Sequence, residues 1–193
     1  PRADFIKKVE EIKVIKEEMD ITQGKLVMGY RCNVDYKDEF KYYSLFVGSN
    51  VLGGGPHSKL FVNVREKESL CYYIYSSLEK YKTSMFISSG IESENYDKTV
   101  ELIGEQLKSL KEGKISDEEL LNSKSAIISS LKTIKDSLGG SSDFYFSQSM
   151  GGTNTTVEKI IEMIEKVTVS DIVEAFKNIE LDTIYFLSNN KEA

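Results

Sequence analysis

The chain has 193 residues, 40% of them hydrophobic and 29% charged, enough for one compact domain with its own core. A net charge of −6 excludes the basic footprint of a nucleic-acid binder. No run approaches the ~18 apolar residues of a membrane span, and no signal-peptide pattern opens the chain. A cytoplasmic protein with neither a membrane nor a nucleic-acid partner is therefore expected. The start at Pro1, without a Met, gives the expectation of a single domain, 1–193, cut from a longer protein.

The first charge-rich stretch, Phe5 to Ile21, has Ile6, Val9, Ile12, Val14 and Ile15 as its apolar residues. Helix and edge strand both fit it. A lead-in followed by an extended segment near Lys13 to Met19 is preferred, because edge strands commonly carry Lys and Glu. Gly24 marks a turn. Leu26, Met28, Tyr30, Cys32 and Val34 then alternate with other residues at a period of two, which predicts a strand. Lys41 to Leu52 has helical spacing through Tyr42, Leu45, Phe46 and Ser49, and stops at Gly53. After the glycines Gly53, Gly54 and Gly55, Pro56 suits the first position of a helix reaching Ser69, with Gly55 as N-cap and Leu60, Phe61 and Val64 as its apolar positions. Tyr72–Leu78 and Ser84–Gly90 read as a hairpin.

The second half reads as helices. Tyr96, Val100, Ile103, Leu107 and Leu110 form one stripe closed by Gly113. Ser116 and Glu119 have capping-box spacing ahead of Leu120, Ile127, Leu131 and Ile134. Gly139 to Ser142 breaks that stripe, and a short aromatic helix runs from Phe144 to Met150. Thr155 with Glu158 caps the next helix and Ser170 the last, before a closing strand from Leu181 to Leu187. Strand, helices, hairpin, helices, strand: the pattern is α+β, an antiparallel or mixed sheet with helices packed on one face.

Little self-contained chemistry is legible. His57 is the one histidine, so neither HExxH nor HxxEH can occur. Cys32 and Cys71 are not spaced as a zinc pair and read as buried, reduced thiols. A helix precedes the three glycines, where a dinucleotide fingerprint needs a strand, and no P-loop pattern is present. Carboxylates such as Asp117, Glu118 and Glu119 read as a solvated helix start, and Tyr72, Tyr73 and Tyr75 as sheet-packing material. Three adjacent glycines each add conformational entropy cost, so they signal close approach of backbone to something, whether backbone or ligand. Arg65, just ahead of the strand, offers fixed donors for a carboxylate or carbonyl.

At these residues the chain resembles the insulinase/pitrilysin family, which includes mitochondrial processing peptidase. LGGGPHSKLFVNVREKESLCYYIYSS is similar to that family's glycine loop, helix and Arg-Glu-x-x-x-Leu-x-Tyr element entering a strand. SMFISSGIESENYDK, GKISDEELLNSK and EKVTVSDIVEAF extend the likeness over roughly Lys25 to Leu187. The resemblance implies a processing-peptidase-like domain, the C-terminal half of a subunit whose N-terminal domain carries zinc and cleaves peptides in an enclosed chamber. No cofactor is implied in this chain, and zinc is expected in the N-terminal domain of an active parent. The implied partners are that N-terminal domain or a homologous subunit, and a peptide substrate. Arg65 and Tyr72 would be auxiliary catalytic groups, binding substrate or stabilising the reacting carbonyl, and Gly53, Gly54 and Gly55 would handle substrate. The sequence departs from the family at Pro56, His57, Ser58 and Lys59, where small residues and an Arg are usual. A non-catalytic scaffold or partner subunit is the alternative. An independent small-ligand module has only the glycine loop in its favour.

Overall fold

In a computed structural model that describes residues 8–189, the charged lead-in gives way to strand β1 (Lys13–Met19), exposed along its whole length. Phe5 and Ile6 lie outside the described residues. β1 is indeed an edge, and it runs parallel to the closing strand β5 (Glu180–Asn189). The alternating stretch forms β2 (Gly24–Arg31), which ends before Cys32 and Val34 and is antiparallel to both β5 and β4 (Ser84–Ile91). The other edge is β3 (Cys71–Glu79), hairpin partner of β4. Among the described residues the sheet order is β1-β5-β2-β4-β3, a mixed sheet as expected for α+β.

Register sorts the side chains into two faces. Leu26 lies between Ser89 and Phe186, and Met28 between Ile87 and Ile184, with Met85 opposite Tyr30. All of these are buried beneath the helices. On the opposite face Tyr73, Tyr75 and Phe86 remain 37–48% exposed, with the two tyrosine rings stacked. Helix α1 (Glu39–Gly53) covers β3 and packs on the last helix so closely that a Cβ on Gly48 would come within 2.4 Å of Phe176. Helices α2 (Tyr96–Lys111), α3 (Asp117–Thr133), α4 (Leu138–Gly151), α5 (Val157–Lys166) and α6 (Val169–Phe176) complete the layer.

The helix ends show where local chemistry prevailed. Gly113 takes φ +73° after α2, with the Lys114 N–H donating to Ser109 O at 3.0 Å, and Ser116 with Glu119 forms the full capping box. Five expectations need correction. Gly24 is not a turn; it opens β2, where a Cβ would lie 2.8 Å from Ile91 O. Pro56 does not start a helix. It occupies the second position of a turn closed by the Ser58 N–H to Gly55 O at 2.9 Å, a place its fixed φ also suits, and helix begins at Lys59. Gly139 and Gly140 do not break a helix, because Ser137 accepts from the Gly140 N–H and starts α4 ahead of them. The cap of α5 is Thr156, since Thr155 is turned toward Glu39. The cap of α6 is Thr168, whose box partner is Asp171 instead of the usual Glu or Gln.

Candidate functional site

The glycine segment is explained first by packing. A Cβ on Gly53 would sit 2.5 Å from the backbone nitrogen of Ser76 in β3, and one on Gly54 would sit 2.2 Å from the Asn50 side chain. Ser76 Oγ donates to Ser49 O at 2.6 Å, which ties the last turns of α1 to the strand. Gly55 is different, since its Cβ would meet only the His57 ring, at 3.3 Å. None of the three has positive φ. The close approach signalled by the glycines is thus, at Gly53 and Gly54, an approach to the protein itself.

Lys59 also turns inward. Its ammonium lies 2.9 Å from Glu119 Oε1 and is almost wholly buried. Burial alone would raise the Glu119 pKa, but the Ser116 N–H and Lys59 together hold it below the ordinary glutamate value. The glycine turn is thereby fastened to the start of α3. Between them opens a cleft of about 330 Å³, bordered by His57, Asn63, Lys67, Glu118 and Asn122. Most of its polar groups bond one another or their neighbours: Lys67 donates to Asn63, and Asn63 donates to Gln106.

Arg65 sits in a π-helical turn, Phe61–Glu66, marked by the Lys67 N–H reaching back to Val62 O at 3.1 Å. Leu60 and Val64 bury one side of this turn. The guanidinium lies 4.7 Å from the Phe61 ring centre, exposed, with no carboxylate partner among the described residues. Its positive charge reaches the Cys71 thiol, where it partly offsets the rise caused by burial.

Tyr72 is turned out by a bulge. The register steps from Cys71 opposite Ile91 to Tyr73 opposite Gly90, so Tyr72 has no partner across the ladder. It is 59% exposed, and its hydroxyl donates to Glu92 Oε1 at 2.6 Å. No hydrogen bond joins Tyr72 to Arg65; the two stand at opposite ends of the connection from helix to strand. Ser69, at φ +53°, makes the turn between them, and Asn95 Nδ2 bonds Leu70 O at 3.4 Å. β3 presents an outer edge with no strand partner among the described residues. Glu92 escaped the sequence reading. The only signal for it was hairpin register, which sets the residue after Ile91 beside the start of β3.

Among the described residues no cluster of three or more His, Cys, Asp or Glu could hold a metal. With a single histidine, this donor set does not fit zinc. Cys32 and Cys71 are free and buried; burial pushes the Cys32 thiol up to about 12, so neither is a poised nucleophile. No helix among the described residues is long and apolar enough to cross a membrane.

A family model described as "Peptidase M16 inactive domain" matches residues 2–127. Over 186 residues the chain is 39% identical to "Probable inactive metalloprotease YmfF" of Bacillus subtilis (strain 168), covering 96% of this chain and 43% of that protein. Its fold superposes with a TM-score of 0.90 on a conserved protein from Enterococcus faecalis V583, at 32% identity, covering 97% of this chain and 44% of that one. The peptidase M16 inactive domain from Pseudomonas fluorescens shares the fold, at a TM-score of 0.74 and 18% identity, with 94% of this chain and 44% of that chain covered. The chain spans less than half the length of each of these relatives.

Proposed function

The chain belongs to the peptidase M16 inactive-domain family, of zinc-protease-like proteins, and from that premise we propose that it is the C-terminal half of an insulinase-family metallopeptidase-like protein. In this reading it forms part of a peptide-holding chamber, and the zinc and its ligands belong to a separate N-terminal domain. The observation that carries the reading is the entry to β3, where an exposed guanidinium with no carboxylate partner among the described residues stands at one end of the connection and a bulged-out tyrosine at the other, on a strand edge left without a strand partner among those residues. A strand edge binds extended peptide through main-chain hydrogen bonds, and Arg65 adds donors for a peptide carbonyl or carboxylate. Gly55 and the cleft beside His57 extend the surface available to a substrate. In this reading the chain contributes binding and orientation of the substrate.

A second reading is favoured by one specific observation: the 39% identical relative is named an inactive metalloprotease. Here the same surface holds peptide or a partner subunit in a scaffold without turnover. The full-length parent decides between them. Bound zinc with chelator-sensitive cleavage of a mixed peptide pool supports the peptidase, while peptide binding without zinc or cleavage supports the scaffold. Unchanged peptide binding in Arg65→Ala would remove the site from both.

A further inference from the structure

Helix α4 carries its apolar side chains outward. Leu138, Tyr145, Phe146 and Met150 are 61–92% exposed. With Ser142 and Ser149, also exposed, they fall on one face at the helical period. On the inner side only Gln148 and Gly151 are buried, and Phe144 is the one apolar residue of the helix packed against the core. What fixes α4 on the domain is therefore mainly polar: Tyr81 Oη bonds Ser147 Oγ at 2.7 Å, and Tyr36 Oη donates to Gly151 O at 3.0 Å. Local preference adds little, because Gly139 and Gly140 weaken the first turn and an isolated helix of 14 residues is marginal in water. Covering the outward face would supply the burial that this helix lacks.

Charge and chain length point to what covers it. Asp143 is the single charged residue of α4, in a chain of which 29% is charged, so the stripe suits an apolar protein surface and not an ionic one. The helix has no Lys or Arg, whereas helices that lie on membranes carry such cations on their polar face. The Enterococcus faecalis protein matches 97% of this chain at a TM-score of 0.90, which leaves too few residues unmatched to omit α4, and that chain is more than twice as long. A surface within the same polypeptide meets the helix at high effective concentration and so prevails over a separate partner. We propose that the face formed by Leu138, Tyr145, Phe146 and Met150 docks against an apolar surface of the parent's other half, outside residues 1–193, and joins the two halves. The inference rests on the reading of this chain as one half of a longer protein and deepens it by naming the surface of contact.

Thiol labelling of the full-length protein tests this with mild substitutions. Ser142→Cys and Ser149→Cys change the stripe little, and Glu105→Cys, at an exposed position of α2, is the reference. Cys32 and Cys71 are buried and add little background. Maleimide labelling, read peptide by peptide in a mass spectrometer, is expected to be at least about tenfold slower at Ser142→Cys and Ser149→Cys than at Glu105→Cys in the native protein. In urea all three should react alike. Replacing Tyr145 by p-benzoylphenylalanine and irradiating the native protein identifies the occupant. The crosslink is expected within one chain, to a residue outside 1–193, with a yield independent of protein concentration. Labelling at Ser142→Cys and Ser149→Cys as fast as at Glu105→Cys overturns the inference. So does a crosslink to a second copy, a crosslink confined to residues 1–193, or protection that vanishes on dilution. Fast labelling in a parent that has a folded second half strikes the inference alone. A parent with no folded half outside residues 1–193 strikes the underlying reading as well.

Discussion

Along its inner side β3 is held by α1, with Gly53 pressed against the Ser76 nitrogen and Ser76 donating to Ser49 O, whereas at its start the bulge turns Tyr72 into solvent with Glu92 as its partner. The same strand thus has one part whose polar groups and backbone are satisfied by the rest of the chain and another that is left open. The difference separates two kinds of residue that sit close together in sequence. Changes on the inner side should move stability, because they remove contacts or force atoms together. Changes at the start should move peptide binding and leave stability nearly untouched, because little packing is lost there.

The largest expected effect tests the inner side. Leu52, fully buried in the last turn of α1, should cost about 2–5 kcal/mol when replaced by alanine, read as a lower urea midpoint with an unchanged slope. Gly53→Ala should cost about 1–3 kcal/mol, since its new methyl would meet backbone that cannot swing aside. A Gly53→Ala protein of normal stability but weakened peptide binding would break the comparison, and would return Gly53 to the substrate-handling role the resemblance implies.

The next effect depends on pH. The folded structure lowers the Glu119 pKa from its ordinary 4.5, so the stability this group contributes is complete above that value and is lost as pH falls through the lower folded one. Replacing the pair together, Lys59→Met with Glu119→Gln, should flatten the acid limb of stability below about pH 4.5 while avoiding a buried, unpaired ammonium. An acid limb identical to the wild type would mean that the glycine turn is not fastened through this pair. The smallest stability effects belong to the open end. Tyr72→Phe and Arg65→Ala should each stay within about 0.5 kcal/mol of the wild type in urea titrations, the range of exposed positions.

The parts of this fold that were legible in the sequence are those where a period or a cap decides locally. The alternation through Leu26, Met28 and Tyr30, the hairpin, the Ser116 box and the Gly113 closure all follow from neighbours a few residues away. What escaped was decided by tertiary contact or by a competing local option. The reason for Gly53 lies across space at Ser76, which no spacing in the sequence reveals. Pro56 fits a turn as well as a helix start, and the turn prevailed. At the candidate site the positions of Arg65 and Tyr72 were legible, but their surroundings were not. The π-helical turn sets Arg65 on Phe61, and a one-residue bulge pairs Tyr72 with Glu92, a residue that lies beyond the next strand.

Hydrogen exchange on the full-length protein, with and without a bound peptide, tests the division of β3 most directly. The account predicts new protection confined to the amides around Leu70 to Tyr75 and to Glu92, with α1 and its contact at Ser76 already protected in the free protein. Protection that appears instead along α1 and the glycine turn, or nowhere in this chain, would contradict it.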